Sequence, residues 1–206
     1  EDAYEDFLAL FSHELFHAWN VKAATPATFR PYDYDRERPT RLLWWFEGVT
    51  DYYDELVLRR ARLLTPQRYL GRVVDRWEKL LDTPGRARTS VADASFDAWI
   101  KFYRPDENTP NSTVSYYEKG HLVGLCLDLE IRRVTRNARS LDDVARLVVE
   151  RGRTGLPENG VLRAVEDVVG RSFGRWFSRY VHGTDELPVA EMLATAGLVL
   201  GPKEKD

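Results

Sequence analysis

At 206 residues the chain is sized for one domain or slightly more. Hydrophobic residues at 43% and six tryptophans supply a core, while a net charge of −3 and no long basic run argue against a nucleic-acid or anionic-membrane partner. The only cysteine, Cys126 in "HLVGLCLDLEI", reads as a buried inert thiol and excludes an intrachain disulfide.

Helical periodicity dominates, and no stretch alternates apolar and polar residues as a half-buried strand would. Residues 3–20 read as a first helix, closed by the loop "AATPATFRPYDYDRERPT" with its three prolines. A second helix spans roughly 43–63, and Thr65 and Pro66 look like the N-cap and first residue of a third, ending near Leu81. Residues 83–113, rich in Pro, Asp, Asn, Ser and Thr, read mostly as loop with a short helix around "SFDAWIKFY". A long helix follows through "SYYEKGHLVGLCLDLEIRRVT", and Ser140 caps "LDDVARLVVERG". "PENGVLRAVEDVVG", "SFGRWFSRYVHG" and "PVAEMLATAGL" add three short helices with Gly at or just past their ends. The expected fold is all-α, one domain over 1–206, a bundle of about seven to nine helices. No signal peptide or membrane-spanning run is visible, and the chain opens without Met in an amphipathic segment, as a piece of something longer would.

"FSHELFHAWN" places two of the chain's four histidines, His13 and His17, four residues apart with Glu14 between. On a helix, positions i and i+4 share a face, so both imidazoles can converge on one metal ion beside the glutamate. That is the H-E-x-x-H arrangement of zinc peptidases; the competing reading is two histidines on one face by accident. Catalytic zinc takes three protein ligands and keeps one position open. The third candidate is Glu47 in "WWFEGVTDYY", 30 positions after His17 at the start of the second helix. Alone it would read as a solvated first-turn glutamate favoured by the helix dipole. Its neighbours Trp44, Trp45 and Phe46 favour burial, and Gly48 would let another helix come close.

Asp51 lies one turn beyond Glu47 on the same face, where it could accept the spare N–H of a metal-bound imidazole; otherwise it is a surface residue. In "SYYEKG", Tyr116 and Tyr117 open a helix, and one phenol could donate to a developing oxyanion. Core packing is the simpler account of that pair. His121 and His182 have no partner at metal-ligand spacing and read as structural or surface, and Asn20 reads as a cap.

Together "SHELFHAWNVK", "LWWFEGVTDYY", "SYYEKG" and "VHGTDELPVAEMLATAGL" resemble the catalytic domain of the glycyl aminopeptidase family of zinc peptidases (M61), over nearly the whole chain. The resemblance extends to the larger M1 aminopeptidases and to thermolysin. It implies the α-helical part of a thermolysin-like catalytic domain, with zinc on His13, His17 and Glu47 and Glu14 as general base. It also implies Tyr117 as the donor to the tetrahedral intermediate, with Tyr116 the alternative. The chain departs from the family where "AATP" follows "WNVK", and it lacks the Gly-x-Met-Glu-Asn loop by which the M1 relatives hold a substrate's free amine, since its only Met is Met192. The upstream β-rich region and downstream PDZ domain that the resemblance implies are absent from these residues.

The reading that follows is a zinc-dependent peptidase of aminopeptidase type acting on peptides, with a Gly or Ala preference implied only by the resemblance. Two alternatives stand beside it: a helical binding or assembly module with an idle zinc site, and a zinc hydrolase of a non-peptide substrate. The chain is expected to hold zinc well, to handle substrate poorly without the upstream region, and to self-associate through apolar surface near its first helix.

Overall fold

The computed structural model describes residues 2–199 and 201. Among these, ten α-helices, two π-helical turns and short 3-10 turns make up the regular structure, and the only β-like pairings are two isolated bridges. The all-α expectation holds. Among the described residues, no helix is long and apolar enough to cross a membrane.

Helix α1 covers Asp2–Phe16, shorter than the sequence pattern suggested. Its end tightens through i→i−3 bonds, Ala18 N–H to Leu15 O at 3.1 Å and Trp19 N–H to Phe16 O at 3.0 Å. Val21 then turns to φ 114°, a region that β-branched residues rarely enter. His17 still donates its backbone N–H to His13 O at 3.2 Å, so the two histidines stay one turn apart on one face.

The second helical segment begins as a π turn, Trp44–Gly48, and continues as α2, Val49–Arg60. Helix α3, Pro66–Leu81, starts as expected, with Thr65 Oγ1 accepting the Arg68 N–H at 3.2 Å. The stretch 83–113 carries more helix than its composition suggested: α4 (Val91–Phe96), a π turn at Ala98–Phe102 and α5 (Thr109–Ser112). Small residues, Ala92, Ala94 and Ala98, bury these short pieces, and small residues leave no visible apolar stripe.

Helix α6, Tyr116–Thr135, runs through the centre, with Leu122, Val123, Cys126, Leu127 and Ile131 fully enclosed. Cys126 is the free buried thiol expected, and burial pushes its ionisation upward. Helices α7 (Leu141–Gly152), α8 (Gly160–Val169), α9 (Gly174–Tyr180) and α10 (Val189–Thr195) complete the bundle. Gly170 and Gly197 close α8 and α10 in the left-handed region, which glycine enters without Cβ strain.

Two contacts position the site. The π turn crosses α6 backbone to backbone: a Cβ on Gly48 would sit 2.5 Å from both Gly120 Cα and the Tyr116 carbonyl oxygen. Helix α1 packs with its polar side inward, burying Glu5, Ser12 and His13 while Tyr4, Phe7, Leu10, Phe11 and Leu15 are each more than half exposed.

Candidate metal centre

The end of α1 and the π turn bring two imidazoles against one carboxylate. Glu47 Oε2 lies 3.4 Å from His13 Nε2 and 3.3 Å from His17 Nε2. One ligand atom from each of the three residues falls within 4.8 Å of the others. Ion-paired nitrogen and oxygen atoms normally close to about 2.7–2.9 Å. Ligands about 2.0–2.1 Å from a tetrahedral zinc stand roughly 3.3–3.4 Å apart. The observed spacing matches the second geometry.

The other ring nitrogens are committed elsewhere. His17 Nδ1 lies 2.9 Å from the Asn20 carbonyl oxygen, which can only accept, so Nδ1 carries the proton and Nε2 keeps its lone pair. His13 Nδ1 lies 3.0 Å from Asp51 Oδ1 and 3.3 Å from Asp54 Oδ2. Both histidines thus turn Nε2 toward Glu47, the orientation that outer carboxylates and carbonyls impose on metal-binding imidazoles. The donor set fits zinc.

Without a metal, the surrounding carboxylates favour positive charge on both imidazoles, charge that a bound cation would replace as it displaced the Nε2 protons. Burial opposes a charge on His13, but hydrogen bonding to Asp51, Asp54 and Glu47 outweighs it and lifts the pKa to about 11. His17 is raised for similar reasons, with Glu47 the main partner. Glu47 is held down at about 2 by the two imidazoles, against its own burial. Asp54 is pushed up to about 7 by burial, only partly offset by His13, and its Oδ1 has no hydrogen-bond partner.

Asn20 proves to be more than a cap. Its side-chain amide donates to the Trp45 carbonyl at 2.9 Å and to Thr50 Oγ1 at 3.0 Å, tying the end of α1 to the turn that carries Glu47. The π turn opens one backbone position there, as such bulges often do at functional sites. Trp44 N–H donates to Ser95 Oγ at 2.9 Å, which anchors the same turn from α4.

Glu14 is exposed and lines a cleft of about 430 Å³ with His13, Asp51, Tyr117, Arg72 and Arg76. The Tyr117 ring stacks 6.4 Å from the His13 ring, and its ionisation is raised by partial burial and by the facing Glu47 carboxylate. Tyr116 is 1% exposed and belongs to the core, its hydroxyl 3.5 Å from that of Tyr103. His121 is buried and His182 exposed, and neither joins the cluster.

A family model of the M61 glycyl aminopeptidases matches residues 6–123, more than half of the chain. The chain belongs to the M61 glycyl aminopeptidase family. This M61 chain is also similar to the crystal structure of an aminopeptidase N family protein from Idiomarina loihiensis, at 34% identity and a TM-score of 0.90. The likeness covers 94% of this chain and 34% of that one, so the residues here span about a third of the neighbour's length. No curated protein matches.

Asp54, Tyr103 and Arg76 were not singled out by sequence reasoning. Asp54 is seven residues past Glu47, off the E-x-x-x-D spacing, and Tyr103 ends the short helical stretch "SFDAWIKFY", to which no chemistry was attached. Arg76 sits on a helix with no chemical motif. Only the Asp51–Asp54–Glu55 run of acids in an otherwise aromatic helix start hinted at a buried cationic partner.

Proposed function

We infer that this M61 chain is the catalytic part of a zinc-dependent peptidase, of aminopeptidase type, with His13, His17 and Glu47 holding the metal. The observation that carries the reading is the 3.3–3.4 Å spacing of Glu47 from two Nε2 atoms whose Nδ1 partners are already engaged. Bound zinc supplies Lewis acidity and an acidified water at about neutral pH. Glu14, one residue from His13 and open to the cleft, takes the proton of the attacking water and returns it to the leaving amine. Tyr117, facing the same cleft, donates its phenol hydrogen to the oxygen that gains charge as the carbonyl becomes tetrahedral. Asp51 and the Asn20 carbonyl keep the two imidazoles in the required tautomers. The substrate is a peptide, with a Gly or Ala preference at its amino terminus supported by family membership. The outward apolar face of α1 supports self-association of the chain as given.

Metal analysis joined to an aminoacyl chromogenic assay tests the reading. Wild type is expected to carry one zinc per chain, His17→Ala to lose it, and Glu14→Gln to keep it while losing turnover. Full zinc occupancy in His17→Ala would end the assignment.

A further inference from the structure

On α3, remote in sequence from every residue placed at the site, Arg76 reaches both halves of it. Its Nη1 lies 3.2 Å from Asp51 Oδ2 and 3.0 Å from Glu118 Oε2, and its Nη2 lies 3.2 Å from Glu55 Oε1. Asp51 uses its other oxygen on His13 Nδ1 at 3.0 Å. Glu118 follows Tyr117 directly, and its backbone N–H is capped by Ser115 Oγ at 3.3 Å, within the first turn of α6. We propose that Arg76 is a positioning residue that braces the metal-orienting carboxylate and the phenol-bearing turn together. The proposal rests on the zinc-peptidase reading and assigns a second layer to the same site.

The physical case has two parts. Asp51, Asp54 and Glu55 line the cleft and Glu118 meets the same guanidinium from α6, and like charges at this range push one another apart unless a cation lies among them. Arg76 supplies that cation from a largely buried position, its side chain 22% exposed. Geometry supplies the rest. Two carboxylates on different helices share one Nη1 while a third occupies Nη2, which needs the planar, multi-donor fork of a guanidinium. A lysine ammonium is a point donor and cannot hold the three in register. Lys79 also pairs with Glu118 at 2.7 Å, but its side chain is 68% exposed, and an exposed pair contributes little.

Arg76→Lys, Asp51→Asn and Glu118→Gln are compared with wild type for zinc affinity by chelator competition, and for kcat and KM at saturating zinc. Arg76→Lys should weaken zinc roughly 10- to 100-fold and lower kcat by a similar factor. KM should stay within about twofold, because the phenol acts in the transition state. Asp51→Asn should reproduce the affinity loss, and Glu118→Gln the kcat loss at unchanged zinc affinity. Wild-type values for both properties in Arg76→Lys overturn the proposal, as does a Glu118→Gln protein with full kcat. Should Arg76→Lys fail to fold, the two near-isosteric amides decide, and wild-type behaviour in both overturns it. A protein that binds zinc but cleaves no peptide removes the proposed function, while unweakened zinc binding in Arg76→Lys then removes the brace.

Discussion

Each imidazole of the pair has one nitrogen engaged and one directed at Glu47, and this division turns a sequence spacing into a candidate ligand set. The two tyrosines divide in the same way. Tyr117 faces the cleft beside His13, whereas Tyr116 is enclosed, its hydroxyl set against that of Tyr103. Tyr117→Phe is therefore expected to lower kcat by on the order of 10²–10³ with little change in KM, the loss typical of one oxyanion donor. Tyr116→Phe should stay near wild type, and steady-state kinetics on the two variants would expose a reversal of these roles. The ligand candidates were legible because the i, i+4 spacing is local and helix geometry converts it to proximity. Asp54 and Tyr103 were not legible, since neither sits at a spacing that any helix translates into contact with His13 or Tyr116.

Among the elements, the crossing of the π turn with α6 sets how near Tyr117 comes to Glu47. Gly48 and Gly120 meet there with no room for a methyl group. Gly48→Ala must push the helices apart, at a cost of about 1–3 kcal/mol or more. For a chain of this size that is a fall in Tm of roughly 2–4 °C per kcal/mol, measurable by calorimetry. Close approach was readable from Gly48 itself, but its partner was not, because Gly120 lies 72 residues later in sequence. Helix α6 also buries Lys119 to 2% exposure, and desolvation draws its pKa down to about 8, from 10.5 in the free side chain. Between those values the unfolded chain binds more protons than the folded one, so this residue makes stability rise with pH. Below about 8 both states are charged and the burial cost is fully present. The rise amounts to about 3 kcal/mol at roughly 1.4 kcal/mol per pKa unit. Lys119→Met should be more stable than wild type at pH 7, and the difference should shrink towards pH 10.5. Melting curves of both proteins across that range check it, and a constant gap would contradict the burial argument.

For the molecule as a whole, the decisive feature is an inverted first helix. Tyr4, Phe7, Leu10, Phe11 and Leu15 face outward while Glu5, Ser12 and His13 face the bundle. A contiguous apolar face of this kind favours association. Sedimentation velocity should show concentration-dependent self-association that Phe7→Glu with Phe11→Glu suppresses at unchanged zinc content. A monomer at every concentration would remove the idea. Sequence by itself determined the helical class, the helix starts at Thr65 and Ser115, and the His13, His17 and Glu47 set as candidates. Capping and period are local properties, written within one or two turns. Tertiary structure alone decided which tyrosine faces the candidate metal site, that Asn20 clamps the π turn, and that Arg76 gathers carboxylates from α2 and α6. Those relations depend on how helices distant in sequence cross, and the crossings follow from packing at Gly48 and Gly120, which no local pattern encodes.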